Sequence, residues 1–259
     1  MAAAVTRHKL RHPPVLLPMM SRRCTLGIVL AAAGAVAPRP AHAQSRAADS
    51  VFTACVERDT STAWQRLTQA WENKSGAHWS NDPLRRELIA LGDSDQAVRR
   101  GLSFADSMRI PAFANRMKVR DSMDAVALSR IIERYGWPTR SMVGAKGADA
   151  AFLIAQHNES LQKLALHFMR SLPPNEVSQG NLALLEDRVL VNEGEPQRYA
   201  TQLKFSADGK RMTFYPIADV AHLDARRAAA GLPPLTTYLC LMRVMYGRDV
   251  DDPRRPPKP

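Results

Sequence analysis

The stretch from Ser178 to Glu193 limits the possible folds more than any other in the chain. At about 100° per residue, Leu182, Leu185 and Val189 share one side of a helix, Leu184 and Val191 another, and Leu190 a third. A helix that is apolar nearly all round belongs inside a protein. Within it Glu186, Asp187 and Arg188 are consecutive and fan over about 200° of the circumference, so no single strip of water can serve all three. At least one of these charges must lie against packed neighbours, where an unpaired charge costs several kcal/mol. Two readings follow: a buried ion pair that orients helices, or a carboxylate and a guanidinium that belong to a site.

A buried helix needs others around it, and the flanking sequence supplies them. Val51 to Lys74 carries partial helical spacing, and Asp82-Pro83 reads as a helix start followed by an apolar stripe through Leu84, Leu88, Leu91 and Val98. A helix is expected over Phe113 to Tyr135, with Met117, Met123, Val126, Ala127 and Ile131 on one side, closed by Gly136-Trp137-Pro138. Gly147 to His157 and Ser160 to Leu172 form a short helical pair. The period then drops to two: Tyr199, Thr201, Leu203 and Phe205 alternate with Arg198, Ala200, Gln202 and Lys204, Asp208-Gly209 makes a hairpin turn, and Met212 to Tyr215 return. Helices over Asp219 to Ala230 and Thr236 to Tyr246 follow. The expected fold is mainly α, a single helical domain with one antiparallel β-hairpin near the C-terminal third. Its parts are an N-terminal helix and loop over 44–83, the helical domain over 84–246, and a charged, Pro-rich disordered tail over 247–259.

The first 43 residues stand apart. Met20 to Ala37 has a basic start and an apolar run too short to span a bilayer, and Ala41-His42-Ala43 is a small-x-small cleavage signature. A secretory signal peptide is expected over 1–43, with Met20 as an alternative start, which makes the mature chain an exported, periplasmic or secreted protein with no later membrane span. Arg22-Arg23 leaves open export by the twin-arginine or the general route. The leader holds six Lys+Arg and no acid, so removing it lowers the formal charge from +11 to +5. What remains is thinly spread and not interleaved with aromatics, which argues against a nucleic-acid partner. Cys55 and Cys240 remain as a pair that an oxidising compartment allows to bridge; both also suit an apolar core as free thiols.

Few side chains are placed to do chemistry. His157 ends its helix, where a charged imidazole can cap the last carbonyls or a neutral one can transfer protons. Gln156 lies on the face of Asp149 and Leu153. Strict alternation puts Gln197 with the apolar set and Arg198 and Gln202 with the polar set. If that polar face turns toward His157 and Asp187, an amide- and guanidinium-lined pocket results, suited to an anion or a sugar-like ligand. Catalytic candidates are therefore His157 and Asp187; binding candidates are Gln156, Arg188, Gln197, Arg198, Tyr199 and Gln202. His78, His167 and His222 are scattered and no His-x-x-His or Cys-x-x-Cys pair occurs, so neither a metal nor another cofactor is expected.

Gly136-Trp137-Pro138, Val143-Gly144, Ala151 to His157, Leu185-Glu-Asp-Arg-Val189, Val191 to Gly194, Pro196-Gln197-Arg-Tyr-Ala-Thr-Gln202 and Gly231-Leu-Pro-Pro-Leu-x-x-Tyr238-Leu239 occur in this order. Together they resemble the bacterial family catalogued as domain of unknown function 6624, over about Leu84 to Met242. Members carry glycine between the tyrosine and the threonine, where this chain has Ala200. The resemblance implies a shared fold and no activity, and it leaves Val51 to Asn81 as an added helix. Three functions stay open: an envelope domain that binds a small molecule or a partner protein; a hydrolase or transferase using His157 with Asp187; and a structural helical scaffold.

Overall fold

A computed structural model of the chain describes residues 54–56, 63–72, 79–99, 110–206 and 209–255. The expected leader, His78, Asp208 of the hairpin turn and the last four residues lie outside them. The helices are α1 (Ala63–Glu72), α2 (Asp82–Arg99), α3 (Pro111–Tyr135), α4 (Arg140–His157), α5 (Glu159–Ser171) and α6 (Gln179–Glu193). Strands β1 (Leu203–Phe205) and β2 (Arg211–Phe214) follow, then a 3-10 turn, Val220–His222, α7 (Leu223–Ala229), α8 (Leu235–Tyr246) and β3 (Asp249–Val250). The fold is mainly helical with a small mixed sheet in its C-terminal part. No helix among the described residues is long and apolar enough to cross a membrane.

Two apolar clusters organise these elements. The first joins α2 to α6 through side chains sealed from water, among them Leu88, Leu128, Val143, Ile154 and Leu185. The second joins the sheet to α7 and α8 through Leu203, Met212, Leu223, Leu235 and Met242. Leu84 and Leu88 lie on the expected stripe of α2 and are buried, at about 25 cal/mol per Å² of apolar surface removed from water. Asn81, not Asp82, caps that helix, its Oδ1 accepting from the Leu84 N–H at 3.1 Å. Local signals set the ends of α6: Ser178 accepts from the Asn181 N–H, and Gly194 closes the helix in the left-handed conformation (φ +85°).

Several expectations are corrected. The helix expected over Gly147 to His157 begins at Arg140, with a kink at Gly144 (φ +69°), where glycine also leaves room for the Trp79 ring in the space a Cβ would fill. The buried face of α3 is Phe113, Asp124, Leu128, Ile131 and Ile132, whereas Met123 and Val126 are exposed. Asp124 can sit there because Arg120 pairs with it one turn earlier. The C-terminal helix expected from Asp219 is a 3-10 turn followed by α7.

The expected hairpin is present, with Leu203 opposite Phe214, Lys204 opposite Thr213 and Phe205 opposite Met212. Residues 197–202 are not strand, however. The tail expected to be disordered adds a third strand instead: β3 pairs parallel to β2, Arg211 opposite Asp249 and Met212 opposite Val250, and the Asp251 N–H donates to the Met212 carbonyl at 2.9 Å. Cys55 and Cys240 form a disulfide, Cα to Cα 5.7 Å, which ties the N-terminal segment to α8.

Candidate functional site

Asp187 is wholly buried on the face of α6 that meets the segment leading into β1. One carboxylate oxygen accepts the backbone N–H of Arg198 at 2.6 Å and of Tyr199 at 3.0 Å; the other accepts the Thr201 N–H at 3.0 Å and the Thr201 hydroxyl at 2.9 Å. Burial pushes its pKa up while these donors pull it back. Gln197 completes the turn: its Oε1 accepts the N–H of Thr201 and of Gln202, both at 2.8 Å, and its Nε2 donates to the Gln202 and Tyr215 carbonyls. With the N–H groups of Arg198, Tyr199, Thr201 and Gln202 spent inward, the segment makes only an isolated bridge, Gln197 with Ile217, instead of a strand, so alternation misplaced Gln202, which is buried with Thr201.

The other side of this turn is held by α7. Arg227 is completely buried and donates from Nη1 to the Tyr199 carbonyl at 2.5 Å and the Ala200 carbonyl at 3.2 Å, and from Nε to the Pro233 carbonyl. Burial lowers its pKa to about 10. The Tyr238 hydroxyl donates to the Thr201 carbonyl at 2.8 Å. Gripped on both edges, Ala200 takes φ +52°, a left-handed conformation that favours glycine.

What this scaffold presents outward is Arg198 and Tyr199. They face an open cleft of about 250 Å³ between α6 and α7, floored by Leu182, Ala183 and Ala229. Glu186 lines it, accepting from Arg198 at 2.8 Å and from Arg170 at 2.9 Å. Arg226 also lines it, and donates to the Arg198 carbonyl at 3.0 Å. Both arginines paired with Glu186 are about half exposed, so those pairs are weak and open to exchange.

His157 lies in a different cluster. Its Nδ1 is 2.8 Å from Asp95 Oδ1, with the imidazole side chain only 3 % exposed. The same oxygen pairs with Arg99 Nη1 at 2.8 Å, Gln96 donates to Asp95 Oδ2, and Arg99 also pairs with Asp121. The helix end that His157 was expected to cap is served by Asn158, which donates to the Ile154 carbonyl. Burial lowers the His157 pKa despite the Asp95 contact. Asp95 lies below its ordinary value: burial raises it, but His157 and Arg99 outweigh that. At neutral pH, then, Nδ1–H donates to an ionised Asp95, and Nε2 is left as the basic atom.

Of His157, Asp187 and the Gln197 to Gln202 segment, expected to meet in one pocket, the hydrogen bonds join only the last two. Asp187 holds that segment, but the carboxylate that orients His157 is Asp95 of α2, 62 residues away in sequence. Gln156 is buried, its carbonyl accepting from Gln162, and takes no part in the cleft. Arg188 is buried among tyrosines. Asp95, Arg99, Asp121 and Arg227 were missed. The signal was available: Asp95 falls seven residues after Leu88, on the same buried stripe, and Arg227 falls four after buried Leu223. A charge on an apolar stripe must be paired.

Asp95, Asp121 and His157 also bring three ligand atoms within 4.8 Å of one another. Arg99 already bridges the two carboxylates, so a divalent cation could bind only by displacing that guanidinium. A further carboxylate enclosed between helices, Asp149, accepts from Trp71 Nε1 at 3.0 and 3.1 Å and from Asn181 Nδ2 at 2.8 Å. Burial raises its pKa to about 7. Through it α4 is fastened to α1 and α6.

The model of a family of unknown function (DUF6624) matches residues 82–251. No curated protein and no solved structure matches the chain.

Proposed function

The chain belongs to the family of unknown function DUF6624, which supplies a fold and no activity, and on that premise we propose that it is an exported domain binding a small polar ligand in the Arg198–Tyr199 cleft. One observation carries the reading. The backbone of these two residues is fixed by Asp187, Arg226 and Arg227, while their side chains are left facing an open cleft. Such an arrangement has its ordering entropy met by the fold before any ligand arrives. The lining suits a ligand with an anionic group, which would compete with Glu186 for Arg198, and a flat apolar face to rest on Tyr199 and the alanine floor. Export is supported by the leader signature and agrees with the Cys55–Cys240 bridge, which oxidising compartments maintain.

The test is calorimetric titration of the purified chain with a panel of sugar acids and sugar phosphates, alongside mass spectrometry of whatever co-purifies. Arg198→Ala and Tyr199→Ala should each weaken the best ligand about tenfold, equivalent to about 1.4 kcal/mol, without lowering stability. Unchanged affinity in both variants sinks the reading. Export is tested by the mass of the secreted product, which should begin at Gln44.

The hydrolase or transferase reading keeps one specific support: the neutral, Asp95-oriented imidazole of His157 is poised to accept a proton at Nε2. It predicts turnover on some member of a model-substrate panel that His157→Gln abolishes and Asp95→Asn lowers with an altered pH profile. Turnover that survives both substitutions excludes it.

A further inference from the structure

Arg188 is the anomaly of the interior. The residue is 3 % exposed, its Nε has no partner, and among the described residues no carboxylate or carbonyl accepts from its guanidinium. The other two buried arginines are served: Arg140 donates to the Ala70 carbonyl at 2.6 Å, and Arg227 to three carbonyls. Asp187, the neighbouring acid, is turned away with both oxygens occupied by the 198–201 turn, and its charge is offset across that turn by Arg227. Glu186 points to the surface pairs with Arg170 and Arg198. One buried positive charge is left over.

The groups around it cannot neutralise it. The charges that act on Arg188 are those of Tyr246, Tyr238 and Tyr215, and burial pushes all three phenols above their ordinary value, so none is a phenolate at neutral pH. Burial lowers Arg188 itself only to about 10, so it stays charged. Removing a charge from water without a counter-charge is among the largest penalties a fold can carry. A second orphan lies close by: Gln202 Oε1 is buried without a donor, and Gln202 Nε2 is 3.5 Å from the Leu184 carbonyl, one helical turn before Arg188.

We propose that Arg188 is the seat of a small oxyanion, a carboxylate or phosphate group, bound between α6 and the Tyr215, Tyr238 and Tyr246 side. The anion accepts from the guanidinium as a bidentate partner. An acid that keeps one O–H, such as dihydrogen phosphate, also donates to Gln202. This seat is distinct from the cleft, since Glu186 and Arg188 stand about 200° apart on α6. The oxyanion is either free in solution or the end of a larger ligand.

The experiment compares the unfolding temperature of the purified chain in an anion-poor buffer with that in rising inorganic phosphate or acetate, at fixed ionic strength. The wild type should be stabilised in a saturable way, and Arg188→Met should lose at least tenfold in the anion affinity read from that curve. In the anion-poor buffer Arg188→Met should unfold at the same temperature as the wild type or above it, because an uncompensated charge has been removed. An equal anion response in the two proteins, or a lower midpoint for Arg188→Met without anion, overturns the proposal. If Arg188→Met does not fold, phosphorus NMR of phosphate with wild type and Arg188→Lys decides. Saturable line broadening that weakens at least tenfold in Arg188→Lys supports the seat, and equal or absent broadening overturns it. Mass spectrometry of the denatured, freshly purified chain separates the sources: a stoichiometric organic acid means a larger ligand, and its absence alongside a phosphate response means a free ion. Arg198→Ala leaves this response intact, so failure here and failure of the cleft are distinguishable.

Discussion

Asp187 and Arg227 hold opposite edges of one turn without touching each other: the carboxylate takes the N–H groups of Arg198, Tyr199 and Thr201, and the guanidinium takes the carbonyls of Tyr199 and Ala200. Opposite charges are thereby joined through the peptide dipoles between them. The turn is the hinge point between the helical cluster and the sheet cluster, since α6 supplies one clamp and α7 the other.

Asp187→Asn should lose roughly 3 kcal/mol in urea unfolding, because one oxygen is replaced by an amide that faces N–H donors. Arg227→Met should cost a similar amount, and the double variant much less than the sum, as both remove the same turn. Full additivity in this cycle would show that the two clamps act independently.

Ala200 tests the strain in that turn. Replacing it with glycine relieves a left-handed backbone worth about 1 kcal/mol but removes a buried methyl worth about 0.8 kcal/mol, so Ala200→Gly should change stability by less than about 0.5 kcal/mol. Ala200→Val adds a β-branched side chain at φ +52° in a sealed site and should cost more than about 2 kcal/mol. Denaturant midpoints of the two variants check both values.

Asp149 makes stability depend on pH in an unusual direction. Its folded pKa of about 7 lies above the ordinary 3.8, so between these values the folded chain holds a proton that the unfolded chain has released. Its contribution is full below the lower value and is lost as pH rises to about 7. Asp149→Asn should therefore gain on the wild type from pH 4 to pH 7, by on the order of 4 kcal/mol, and stay level above pH 7. A gap that does not widen over that range refutes the assignment.

His157 behaves oppositely. A folded pKa below the ordinary 6.5 means that the unfolded chain takes up the proton first as pH falls, so this group's contribution is full above about 6.5 and fades below it. Imidazole NMR should give a midpoint under 6.5, and Asp95→Asn should lower it further by removing the neighbouring negative charge. That variant should also lose about 3 kcal/mol, since Arg99 and His157 both lose the carboxylate charge they share.

Reduction of the Cys55–Cys240 bridge should lower the unfolding temperature by releasing a 185-residue separation, an effect of about 2–4 kcal/mol. Cys55→Ser with Cys240→Ser should match the reduced protein, and an unchanged midpoint in both would show the bridge to be dispensable.

The sequence by itself determined the helices, the hairpin and the fact that Glu186, Asp187 and Arg188 could not all reach water. Those follow from periods of 3.6 and 2 and from caps such as Ser178 and Gly194, which act within a few residues. Only the tertiary structure decided which group answers each buried charge. Asp187 turned to a backbone 11 to 14 residues on, and His157 to a carboxylate 62 residues back. The charged tail found an edge strand to pair with. Periodicity reports which face of an element is buried, because that depends on local geometry. Partners are chosen when whole elements pack, and nothing in the spacing of letters along a chain carries that distance.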